Sequence, residues 1–280
     1  MTSPAVSRAR SGPPPPLTEV LANRRWWRDD RPFPHFRAQG VFTPAFYDAL
    51  VEHRRRVERR GRSETADPSR LSRNMLNSDA YAWDFPPDLG GPLSIFVSRA
   101  WHDMIAAMTD VPATGDVNCA LHHHHAGSRD GFVHGDLGVA WFSRQPRADG
   151  INPMDLARCS YTDGSGPEHA SAVDRVRAVT AIFYLDNEGW QPGDGGETAL
   201  YLRQSDPVRR PAVAVAPVDN SILVFENTPH SYHAFLRNPT RARNSVILWL
   251  HRANSDVMTR WGVEVAKSWG QVPLDGGIDP

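Results

Sequence analysis

From residue 117 onward the chain is written in short apolar runs broken by Gly, Pro, Asn and Asp. The runs are Val117–His124, Val139–Phe142, Val176–Leu185, Thr198–Leu202, Ala212–Val215, Ile222–Phe225 and Ser245–His251. Runs of this length, rich in β-branched and aromatic residues and bounded by turn formers, predict strands. Strands spaced this way suggest a sandwich, jelly roll or barrel, and the fold class expected is mainly β with N-terminal flanking helices. Ahead of them the pattern is helical. Thr43 reads as an N-cap with Pro44 at the first helical position, and Phe46, Leu50 and Val51 share one face. The arginine run from Arg54 to Arg60 reads as a solvated helix end. Leu17 to Trp27 is a candidate short helix, and a further helix is expected over about Leu93–Met108. Pro32 to Phe36 reads as an extended lead-in, and residues 62–90 as loop.

The division expected is a disordered, proline-rich tail over 1–16 followed by a single domain over 17–280. That domain would have helical support over 17–110 and a β core over about 115–252. The segment 144–175 is polar and rich in Gly and Pro. It is too long for a tight hairpin and reads as an insertion, a candidate lid over a site.

Composition mainly excludes. A formal net charge of −1 gives no field for nucleic acid or an anionic membrane. No apolar run approaches the roughly 18 residues of a membrane-spanning helix, and the N-terminus lacks the apolar stretch of a signal peptide. The two cysteines, Cys119 and Cys159, make no disulfide framework. The compartment expected is the cytoplasm, the partner a small-molecule substrate, with no nucleic acid and no membrane; oligomeric state is open.

The chemistry concentrates in His134-Gly135-Asp136. Alternate residues of a strand share a face, so His134 and Asp136 project together. An imidazole and a carboxylate suit Fe(II), Mn(II) or Co(II) rather than a thiolate-preferring ion. His-x-Asp alone is weak evidence; the third ligand strengthens it. The buried run Ile222–Phe225 leads through Glu226-Asn227-Thr228-Pro229 to two histidines. His230 follows a proline at a loop edge, whereas His233 enters the next apolar run. His233 is therefore preferred, because ligands on rigid elements are better placed. The set His134, Asp136 and His233 has the composition of a facial triad with open positions. The run His122–His125 tempts a metal reading, but consecutive strand residues alternate faces, so it is read as plain strand. Arg243 and Ser245 share a face at the head of the last strand and could together hold one carboxylate. Arg241 has the same parity and is the runner-up.

With these pieces in order, Val117 to His251 resembles the 2-oxoglutarate/Fe(II)-dependent dioxygenases, in their prolyl-4-hydroxylase-like branch. The resemblance is carried by His134-Gly135-Asp136, Arg177 through Asp186, Trp190 with Gly195-Gly196-Glu197-Thr198, Phe225 to His233, and Arg243. It implies a double-stranded β-helix (jelly roll, cupin-like) core, with Fe(II) held by His134, Asp136 and His233 and with 2-oxoglutarate and O₂ as cosubstrates. It also implies that Arg243 pairs with the distal carboxylate of 2-oxoglutarate and that Tyr184 bonds the same group. His124 stands where the family usually has a tyrosine near the cosubstrate. Asp136 occupies the position that halogenases of the superfamily leave to Gly or Ala, which argues for hydroxylation.

The function expected is hydroxylation of a small molecule, an amino acid or natural-product intermediate. Trp141, Trp190 and Arg129 are candidate substrate contacts. The alternatives are a peptide or protein hydroxylase, a desaturase or cyclase, and a non-catalytic cupin-like metal-binding protein.

Overall fold

A computed structural model describes residues 12–73 and 79–262. The N-terminal part begins with α1 (Leu17–Val20), β1 (Trp27–Asp29), β2 (His35–Gln39) and α2 (Pro44–Glu58). Three short strands follow, β3 (Arg62–Ser63), β4 (Leu71–Ser72) and β5 (Tyr81–Asp84), then a 3₁₀ turn over Pro92–Val97 and α3 (Arg99–Thr109). The strand-rich part runs β6 (Asp116–His124), β7 (His134–Gly135), β8 (Val139–Phe142), β9 (Asn152–Pro153), β10 (Val173–Tyr184), β11 (Thr198–Tyr201), β12 (Val213–Val215), β13 (Ser221–Glu226), β14 (Tyr232–Phe235) and β15 (Arg243–Arg252). It closes with α4 (Asn254–Trp261).

These strands form two sheets. The larger has the order β1-β2-β13-β10-β15-β6-β5-β4-β3, with β8 added to the start of β10 and β9 to the start of β6. The smaller has the order β12-β11-β14-β7. Two facing antiparallel sheets of this kind make a jelly roll, as the strand pattern predicts.

The alternation of β10 decides which side each residue serves. Val179, Ala181 and Phe183 join the core beneath the helices, with Leu50 of α2 and Ile105 of α3. Ile182 and Tyr184 point the other way and meet Leu200, Leu223 and Phe225 between the sheets. On β15, Val246, Leu248 and Leu250 take the helix side. Arg243, Ser245, Ile247 and Trp249 are therefore left on the inner face.

The run His122–His125 splits by the same rule. The ring of His122 meets Trp249 and that of His124 stacks on Phe235, while His123 and His125 both lie by Tyr81 on the opposite face.

Several N-terminal expectations are corrected. The helix expected over Leu17–Trp27 stops at Val20, and Trp27 opens an edge strand paired with β2. The expected helix over Leu93–Met108 is a 3₁₀ turn followed by α3, whose N-cap Ser98 accepts from the Trp101 N–H. The span expected to give helical support also contributes β1–β5 to the large sheet. The arginine run is largely exposed, as expected, with one exception: Arg54 is buried and paired with Asp186, which the exposed Arg55 also holds. The expected tail falls largely outside the described residues.

Candidate metal centre and carboxylate pocket

The two histidines of the cluster are one cross-strand pair. β7 and β14 are antiparallel neighbours, with His134 directly opposite His233 and Gly135 opposite Tyr232. Directly opposed residues project side by side, and the two imidazole centroids are 4.4 Å apart. Each ring is oriented from behind: Nδ1 of His134 lies 2.9 Å from Phe132 O, and Nδ1 of His233 lies 3.5 Å from Ser231 O. A proton on Nδ1 leaves Nε2 as the free lone pair, the arrangement a metal-binding imidazole needs.

Asp136 lies just beyond β7 and turns its carboxylate between those nitrogens. His134 Nε2 is 3.8 Å from Oδ1, and His233 Nε2 is 3.7 Å from Oδ2. All three ligand atoms fall within 4.8 Å of one another. His230 is exposed at the preceding turn and takes no part.

Three residues from the larger sheet hold Asp136. The Trp249 indole N–H donates to Oδ2 at 2.7 Å, and the Thr180 hydroxyl lies 2.8 Å from the same oxygen. Arg177 Nη1 approaches Oδ1 at 3.4 Å. Thr180 and Trp249 are directly paired across β10 and β15, so both reach one carboxylate. Burial would push the Asp136 carboxyl up, but His233, Arg177, His134 and the Trp249 N–H together hold it below the usual carboxylate range. Burial, with His134 beside it, pushes the His233 imidazole down to about 4. The cluster thus presents one ionised carboxylate and, at His233, a neutral ring.

At the other end of the inner face sits Arg243, fully enclosed. Its Nη1 donates to Ser245 Oγ at 3.2 Å and its Nη2 to Thr198 Oγ1 at 3.1 Å. Nε is buried without a partner. Among the described residues no carboxylate pairs with this guanidinium, and burial lowers its pKa. The ring of Tyr184 lies 5.2 Å from it and that of Phe235 5.5 Å.

Tyr184 donates its hydroxyl proton to Thr198 Oγ1 at 2.7 Å. Thr198 therefore accepts twice, and its own proton is left to point elsewhere. His124, cross-strand partner of Arg243, is buried with Nδ1 unpartnered. The close approach of β11 to Arg243 depends on Gly195 and Gly196, both at positive φ. A Cβ on Gly195 would lie 2.0 Å from Arg237 O, and one on Gly196 would lie 3.3 Å from the Arg243 side chain.

A buried cation ringed by hydroxyls, with no carboxylate partner among the described residues, could receive a carboxylate, and the triad is a mixed nitrogen–oxygen donor set. Arg241, the runner-up, is instead a surface group paired with Asp194.

The remaining candidates make other contacts. Arg129 is exposed and pairs with Asp79, and Trp190 donates to Gly195 O. Trp141 is half-buried, and a Cβ on Gly164 would lie 2.7 Å from its ring. Residues 144–172 are docked through Tyr161, whose hydroxyl lies 2.8 Å from His251 Nε2. Sequence reasoning assigns no role to Thr180, Trp249, Arg177, Thr198 or Tyr161. The parity that links Arg243 to Ser245 extends to Trp249, a signal that could have found it.

A family model described as the 2OG-Fe(II) oxygenase superfamily matches residues 157–251, which carry His233, Arg243 and the supports of Asp136. The prolyl 3,4-dihydroxylase OGFOD1 of Ostreococcus tauri is 33% identical over 113 residues, 36% of this chain and 22% of that protein. The chain thus spans about a fifth of that relative.

A Pseudomonas putida prolyl-4-hydroxylase shares the fold with TM-score 0.50 at 19% identity, over 78% of this chain and 92% of that one. A Trichoplax adhaerens prolyl hydroxylase, solved with a hypoxia inducible factor peptide, aligns with TM-score 0.51 at 14% identity, over 81% and 86%. Residues 157–251 are thus similar to the 2OG-Fe(II) oxygenase superfamily, and the fold is shared with prolyl-4-hydroxylase structures.

Proposed function

We propose that the chain is an Fe(II)- and 2-oxoglutarate-dependent hydroxylase of aliphatic C–H bonds, with His134, Asp136 and His233 as the metal ligands and Arg243 as the anchor of the cosubstrate. The observation that carries this reading is the meeting, between the two sheets, of a nitrogen–oxygen triad with a buried guanidinium that lacks a carboxylate partner among the described residues. A storage or sensor site needs the triad but has no use for the unpaired cation, which disfavours the non-catalytic cupin reading.

The residues present fit the groups implied. The ligand set holds no thiolate and suits Fe(II), and a dicarboxylate would satisfy Arg243 Nε, the Thr198 proton and the orphaned His124 Nδ1. Bound Fe(II), with 2-oxoglutarate and O₂, supplies the oxidising equivalent that C–H hydroxylation requires.

The chain's own groups bind, orient and exclude water. Arg243 and Ser245 fix the distal carboxylate, with Tyr184 acting through Thr198. Trp249, Thr180 and Arg177 hold the Asp136 carboxylate in one orientation. The apolar layer of Ile182, Leu200, Phe225 and Ile247 between the sheets keeps water out of the space beside them. The Asp136 carboxylate would take the ligand position that a halide would need, which favours hydroxylation over halogen transfer.

For the substrate, we favour a small molecule such as an amino acid or natural-product intermediate. The near-zero net charge offers no macromolecular steering. A peptidyl-proline substrate is the second reading, favoured by the relatives named as prolyl hydroxylases. Purified full chain with Fe(II), ascorbate and 2-oxoglutarate would be screened against free amino acids and proline-containing peptides. Succinate release with a product 16 mass units heavier is the expected result. Succinate formation that persists in His233→Ala would overturn the reading.

A further inference from the structure

We infer that Tyr161, carried by the 144–172 segment, is a positioning residue for Asp136 and acts through Arg177; this rests on the metal-ligand reading above.

The hydrogen bonds diverge from Arg177: one arm runs through Tyr161 and His251 to the Asp116 carbonyl, the other to Asp136. His251 Nδ1 lies 3.0 Å from the Asp116 carbonyl oxygen, so it carries a proton and donates. Burial pushes this imidazole down to about 3, which keeps it neutral and leaves Nε2 an acceptor. The Tyr161 hydroxyl, 2.8 Å away, therefore donates to it. The phenol oxygen then accepts from Arg177 Nε at 3.0 Å, and Arg177 Nη1 reaches Asp136 Oδ1 at 3.4 Å. The Asp116 carbonyl can only accept and the Arg177 guanidinium can only donate, so both ends of this arm are fixed.

The guanidinium is held on two sides. Its centre lies 5.4 Å from the Tyr161 ring and 4.4 Å from the Trp249 ring, and Trp249 itself donates to the other oxygen of Asp136. The contact with Asp136 is long, so the anchoring of Nε decides where Nη1 points. Removing the phenol oxygen leaves a buried N–H without that acceptor and frees the side chain to rotate away from Asp136. Tyr161 is itself firmly seated, being buried and packed edge-on against Phe142, with centroids 5.6 Å apart at 87°. Docking of residues 144–172 is thereby coupled to the orientation of a ligand they do not touch.

The test uses Co(II) as the probe on metal-free full-length protein, with affinity and visible absorption as readouts. Tyr161→Phe keeps the ring and its packing. It should weaken Co(II) binding by about 3- to 30-fold, below or at the low end of outer-shell losses because it acts one residue further out, and alter the ligand-field bands. Arg177→Lys keeps the charge but loses the Nε donor, and should do the same. The double variant should be no worse than the poorer single one, because both break one relay.

A Tyr161→Phe protein that binds Co(II) as wild type does, with only a lower unfolding temperature, would reduce Tyr161 to a structural pin and overturn the inference. Losses that multiply in the double variant would overturn it too. Asp136→Ala separates the two levels. Wild-type binding that does not depend on Asp136 sinks the metal-ligand reading itself. Dependence on Asp136 without dependence on Tyr161 sinks only the relay.

Discussion

Trp249 and Asp136 are joined by a 2.7 Å hydrogen bond from the indole N–H to Oδ2, although the two residues stand on different sheets and are 113 positions apart in the chain. The bond ties the two sheets together over the cluster and fixes the tilt of the carboxylate, whose Oδ1 faces His134 and Oδ2 faces His233. Trp249→Phe keeps most of the ring volume and removes only the donor. We expect roughly tenfold weaker Fe(II) or Co(II) affinity, typical of a lost outer-shell partner, with the fold unchanged by circular dichroism. Metal titration that shows no difference would leave Thr180 as the main support.

Arg243→Ala should raise the KM for 2-oxoglutarate by about 30- to several-thousand-fold, as losing a charge-assisted contact in a closed pocket costs roughly 2–5 kcal/mol. Metal affinity should be nearly unchanged. Arg241→Ala, which breaks only an exposed pair with Asp194, should leave KM within about twofold. A strong effect of Arg241→Ala and none of Arg243→Ala would reverse the assignment.

Much of the inner face is legible in the sequence because strand parity is local. The choices of His233 over His230 and of Arg243 over Arg241 need only the apolar run that each residue enters or heads. What parity along one strand cannot supply is register between strands. Thr180 and Trp249 meet at Asp136 because β10 and β15 pair them directly, and Thr198 meets Arg243 because two glycines let β11 approach. Arg54 misleads for the same reason. Its partner Asp186 lies just past the far end of β10, held at positive φ, so one arginine of an otherwise exposed run is buried in the fold. Trp27 misleads because an edge strand is defined by its neighbour, β2, rather than by its own pattern.

The Arg54–Asp186 pair yields a stability test. Arg54 also donates to Asn244 Oδ1 at 3.1 Å, which His123 Nδ1 approaches at 2.7 Å from the neighbouring strand. Removing one member of a buried pair leaves the other uncompensated. Arg54→Ala should therefore destabilise by roughly 3–5 kcal/mol. Arg55, half exposed on the same carboxylate, should cost under about 1 kcal/mol. Urea unfolding of the two variants gives the comparison. Equal losses would show that Asp186 does not distinguish its two arginines.

Acid sensitivity follows from the buried histidines away from the metal cluster. Burial pushes His122 and His251 down to about 3 and His123 to about 4. In the unfolded chain all three titrate near the ordinary histidine value of about 6.5. As pH falls from 7, the unfolded state takes up protons that the folded state refuses, so stability drops between about pH 6.5 and 4. Each histidine contributes at most about 1.4 kcal/mol per pH unit. Asp84 opposes them: burial raises its carboxyl to about 6, so the fold gains a proton there before the unfolded chain does. His53 and His124 are pushed down by burial as well, so the histidines outnumber Asp84 and the loss dominates. Urea midpoints at pH 7.5, 6.5, 5.5 and 4.5 should fall steadily, and His123→Asn should flatten the fall. A midpoint that stays level or rises from pH 6.5 to 5.5 would mean that these histidines are charged in the fold, contrary to the burial that the two sheets impose on them.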